Sequence, residues 1–149
     1  MVNSVQKTFS NDELIERAFY RVAWNIRHMW EATGTSDTRL FLEPIIPSSF
    51  VLVGQSKGGN ATYNEHVVPR IILREQCHDM LRLDSSEESL SNIALFIRRF
   101  LKIVKITKDE QVRLDVDLGL KQKMPDGWTF DTGDVFARLD VAGINYDFL

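Results

Sequence analysis

The residues with the most chemical capacity lie in one stretch, NATYNEHVVPRIILREQCHDML, from Asn60 to Leu81. Glu65 and His66 stand side by side, and Cys77 and His78 follow. An imidazole titrates near neutral pH, so His66 can serve as a working base. It can equally be a strand-end residue hydrogen-bonded to backbone. Arg74, Glu75 and Arg82 fall four before, three before and four after His78, which places His78 on a solvated, charge-laced helix surface. Cys77 points the other way, with Ile72, Leu73, Met80 and Leu81, and reads as a small core residue rather than a reactive thiol.

The elements that must position these groups follow from caps and periodicity. Ser10 with Glu13 makes a capping box, and Leu14, Ile15, Ala18, Phe19, Val22, Ala23, Ile26, Met29 and Trp30 recur at helical spacing up to a stop at Gly34. Leu40 to Glu43 reads as extended, with Pro44 and Pro47 breaking regular pairing. Ser49 to Val53 is a strand candidate, and Gly54 to Asn60, GQSKGGN, a loop. Pro69 suits the first position of a helix. Ser85 with Glu88 predicts a second capping box, opening a helix whose stripe is Leu90, Ile93, Ala94, Ile97, Leu101 and Val104. Thr107 with Glu110 predicts a third, leading to a short helix stopped by Gly119. Asp131 or Thr132 begins a last helix ended by Gly143. The expected fold is a single α+β domain over 1–149, mostly helical, with four to five helices around a small two- to three-stranded β element.

Glu65-His66-Val67-Val68-Pro69 resembles the opening of the HNH-type endonuclease motif, with Cys77-His78 close behind. The resemblance implies a divalent metal cofactor and hydrolysis of a nucleic-acid backbone. Carried over by position, His66 becomes the general base, Glu65 a metal ligand and His78 the later ligand. Asn60 and Asn64 do not fall where the family's central asparagine does. A helix starting at Pro69 would place His78 roughly 13 Å along its axis. His66 and His78 then share one ion only if the helix starts much later.

Other segments carry binding chemistry. Arg17, Arg21, Trp24 and His28 recur on one face of the first helix, where basic and aromatic groups can grip phosphates or stack on bases. A solvated face explains them as well. Arg98, Arg99 and Lys102 form the most basic segment. Trp128 sits in the turn-rich KQKMPDGW. GQSKGGN lacks the spacing of phosphate-binding loops, and the aspartates of the last third match no calcium loop.

The 149 residues carry a net charge of −3, which argues against broad attraction to nucleic acid. One cysteine, no apolar run of membrane-spanning length and no apolar leader core in MVNSVQKTFSNDE suggest a cytoplasmic protein. The leading expectation is a small accessory or interaction protein of bacterial or phage type that binds a protein partner, with a homodimer as one form of this. The alternatives are a divergent HNH-like metal-dependent nuclease and a non-catalytic nucleic-acid binder.

Overall fold

Helix α1, Asn11–Thr33, starts where the first capping box predicts. Ser10 Oγ accepts from the Glu13 N–H at 3.2 Å, and the Ser10 N–H donates to Glu13 Oε1 at 3.0 Å. Two orphan donors of the first turn are thereby satisfied. Gly34 ends the helix with φ 79°, its N–H donating to the Trp30 carbonyl. The computed structural model of the protein describes residues 8–149, so the first seven residues of the N-terminal stretch read above lie outside the described residues.

The chain continues through 3-10 turns at Thr38–Phe41 and Ser48–Phe50 into strands β1, Leu52–Ser56, and β2, Tyr63–His66. Helices α2, Arg70–Leu83, and α3, Ser89–Phe100, follow. Then come β3, Ile103–Ile106, and α4, Lys108–Val112, which runs into a π turn at Arg113–Asp117. Helix α5, Ala137–Val141, and β4, Tyr146–Phe148, complete the fold. The α+β expectation holds, with five α-helices among the described residues.

The sheet is larger than expected, with four strands in the order β2-β3-β1-β4. The helix expected to run on through Leu101 and Val104 stops at Phe100. Ile103, Val104 and Ile106 instead form the inner strand β3, where β-branched side chains suit a pleated, buried surface. β3 runs parallel to β1 and antiparallel to β2, with Glu65 opposite Val104 and His66 opposite Ile103. β4 pairs antiparallel with β1. β1 itself begins at Leu52, three residues later than predicted, and takes up the start of the expected loop.

Caps explain further differences. The Thr107–Glu110 box forms, with bonds of 3.1 and 2.8 Å. The Ser85–Glu88 box does not, because Ser89 turns back to the Ser86 carbonyl through both its N–H and its hydroxyl. α5 begins later than Asp131 or Thr132 because residues 129–134 are held in turns: the Gly133 N–H donates to the Thr129 carbonyl, and Trp128 Nε1 donates to the Asp134 carbonyl at 2.7 Å.

α1 and α3 pack most extensively, burying Ala18, Phe19, Val22, Ala23 and Ile26 with Leu90, Ile93 and Ile97. No described helix is long and apolar enough to cross a membrane.

Candidate functional site

β2 and the start of α2 carry the motif residues into a polar cavity of about 510 Å³. Tyr63, Asn64, Glu65 and His66 line it from β2, and Pro69, Arg70 and Arg74 from the N-terminal part of α2. Asp115, Lys121, Gln122 and Arg138 close the remaining side. Pro69 is the residue before the helix rather than its first residue, a one-residue difference within the ambiguity of helix ends.

Arg138 organises the floor. It is 1% exposed, the most buried charged side chain of the described residues. Its Nη2 donates to Glu65 Oε1 at 2.8 Å and to the Leu120 carbonyl at 2.7 Å. Its Nε donates to the same carbonyl at 2.9 Å, and Nη1 to the His66 carbonyl at 2.7 Å. A charge removed from water needs a counter-charge and hydrogen-bond partners, and Arg138 has a carboxylate and a partner for each of its three guanidinium nitrogens. Burial nevertheless pushes the Glu65 carboxyl above its usual range, against the pull of Arg138.

His66 lines the same cavity, but its Nε2 is buried without a hydrogen-bond partner among the described residues. Burial first, then Arg70 and Arg138, lowers its pKa to about 4. The ring is therefore neutral at pH 7. A base of so low a pKa takes a proton from water weakly, since efficiency peaks when the pKa lies near the working pH.

The structure brings Glu65 and His66 together and keeps His78 apart from them. His78 is not on a solvated face: it is 2% exposed, and its Nε2 lies 2.7 Å from Ser36 Oγ. The loop after α1 folds over this part of α2 and covers the ring, and burial lowers its pKa. Glu65 and His78, the two ligands the HNH resemblance implies, thus serve Arg138 and Ser36. Among the described residues no three His, Cys, Asp or Glu side chains gather where a metal ion could be held. Cys77 is fully buried in the core, its thiol pushed up to about 12.

The binding candidates separate into three places. Arg17, Arg21 and Trp24 of α1 meet Arg98 of α3 in a groove of about 590 Å³. Phe19, Tyr20, Ala94 and Leu95 supply its apolar lining. Trp24 is 45% exposed and stacks on His28, centroids 4.8 Å apart and planes 8° from parallel. Arg21 Nε donates to the Ile45 carbonyl at 2.9 Å, Arg17 lies over the Phe9 ring and Arg98 over the Phe19 ring. Arg99 turns to Phe100, and Lys102 is half-buried beyond the end of α3. Burial and then the nearby Arg98 charge lower the Lys102 pKa, so these two cations are neighbours. Trp128 packs edge-on against Phe100 and Phe130, and its N–H is spent on Asp134. It is part of the scaffold.

Arg138, Tyr63, Arg70 and Lys121 are the cavity residues that sequence reasoning missed. A charged residue directly before the inward-facing Leu139 is the one local hint, and it does not reveal the partner. Compared with protein-family models, with curated proteins and with solved structures, the chain matches none.

Proposed function

We propose that the protein works by binding a protein partner, taking an apolar helix into the groove between α1 and α3. The observation that carries this reading is the exposure of Leu95, Trp24 and Tyr20, at 65, 45 and 37%, in one groove lined also by Arg17, Arg21 and Arg98. Large apolar side chains gathered in a concave surface favour an apolar anchor. Three arginines against the single Glu16 favour acidic residues flanking that anchor. The role is accessory, in keeping with a small cytoplasmic protein of bacterial or phage type.

The test is site-directed photo-crosslinking from position 95, with Tyr20→Ala and Trp24→Ala as groove variants and Lys123→Ala as a surface control. A partner crosslinked at position 95, retained by the control and lost by both groove variants, supports the reading. Crosslinks between two copies of the chain would make the partner a homodimer. Retarded DNA or RNA, weakened by Arg98→Ala, would favour the nucleic-acid binder. Plasmid cleavage that needs Mg²⁺ or Mn²⁺ and is lost in His66→Ala would favour the HNH-like nuclease.

A further inference from the structure

The cavity beside β2 is separate from the α1–α3 groove, and its charges do not cancel. Among its carboxylates, Glu65 is paired with Arg138, and Asp115 accepts from Gln111 Nε2 at 3.1 Å. Among its cations, Arg74 holds Glu75 at 2.9 Å. Arg70 has only the Thr38 carbonyl, at 3.4 Å, and Lys121 forms no ion pair with a described residue. Among the described residues, two cations therefore stand in the cavity without a paired carboxylate, against one carboxylate without a paired cation, Asp115.

We propose that this cavity binds a small oxyanion, a phosphate ester or a carboxylate, through Arg70 and Lys121. Its volume, about 510 Å³, is that of a small-molecule site. Arginine offers a planar fork that matches an oxyanion, and lysine adds a mobile point charge. Tyr63 and Asn64 stand on the same wall as neutral hydrogen-bonding groups. Glu65 lies against Arg138 rather than against the unpaired cations, so the floor carries no net charge and leaves Arg70 and Lys121 to the ligand.

The experiment is an NMR titration of the full chain with inorganic phosphate and, separately, with succinate, against sodium chloride at matched ionic strength. Saturable shifts at Tyr63, Asn64 and Arg70 that chloride does not reproduce are expected. Losing a hydrogen bond to a charged group costs roughly 1.5–3 kcal/mol, so Arg70→Gln should weaken binding about tenfold or more, and Lys121→Gln by a similar factor. Both side chains reach solvent, so the variants should keep the wild-type spectrum outside the cavity. Saturation by phosphate alone identifies a phosphoryl ligand, and by succinate alone a carboxylate. Shifts that track ionic strength, binding that persists unchanged in both variants, or binding that requires added Mg²⁺ would each overturn the proposal.

Discussion

Arg138 Nη2 lies 2.8 Å from Glu65 Oε1, a contact between residues 73 positions apart that joins α5 to the edge strand β2. The same guanidinium holds the carbonyls of Leu120 and His66. One side chain thus fixes three segments around the cavity.

Removing one partner of such a pair leaves the other as an unpaired buried charge. Arg138→Met should therefore destabilise the protein by about 3–5 kcal/mol in urea unfolding. Adding Glu65→Leu removes the stranded carboxylate and should recover part of that loss, though the carbonyls of Leu120 and His66 stay unsatisfied. A double variant no more stable than Arg138→Met would show that the charge pair is not what the single change disrupts.

His66 makes stability depend on pH with a definite sign. Its pKa falls from 6.5 in the unfolded chain to about 4 in the fold, so the unfolded chain binds the extra proton between these values. Its contribution is complete above pH 6.5 and is lost as the pH drops toward 4, to a total on the order of 3 kcal/mol. His78 is shifted in the same direction, so the measurement is the difference between wild type and His66→Gln. That difference should shrink as the pH falls from 6.5 to 4, and a constant difference across the window would refute the assignment to His66.

Gly133 leaves no space for a side chain, because a Cβ there would collide with the Trp128 indole and the Thr129 carbonyl. Gly133→Ala should destabilise by about 1–3 kcal/mol, as overpacking does. It should also change the near-ultraviolet circular dichroism of the tryptophans by displacing Trp128 from Asp134. An alanine variant with wild-type stability and spectrum would mean that the turn relaxes without strain.

The parts of the fold legible in the sequence are those set by neighbours in the chain. The boxes at Ser10 and Thr107 need only residues three apart, and both form. β3 is hidden because Leu101 and Val104 extend the helical spacing of Ile97, while the β-branched run from Ile103 favours a strand; sheet pairing decides between them. β4 is three residues long and gives too little pattern to read. The pairing of Arg138 with Glu65 and of His78 with Ser36 spans 73 and 42 positions, and nothing local to either residue names its partner. For that reason Glu65 and His66 stand out as a motif in the sequence, while the residues that determine their chemistry do not.

The strand order also bears on how the chain reaches its native state. Gly54 pairs with Phe148, a separation of 148 − 54 = 94 residues, and Gly54 lies so close to the Asp147 carbonyl that a Cβ would stand 3.0 Å from it. Pairings this distant in sequence close late and slowly, whereas α1, α2 and α3 can form from local contacts. Until β4 docks, one side of β1 offers unpaired backbone groups to any other chain. The kinetic hazard of the fold is therefore concentrated on Leu52–Ser56, and aggregation during refolding should rise when Tyr146–Phe148 is weakened.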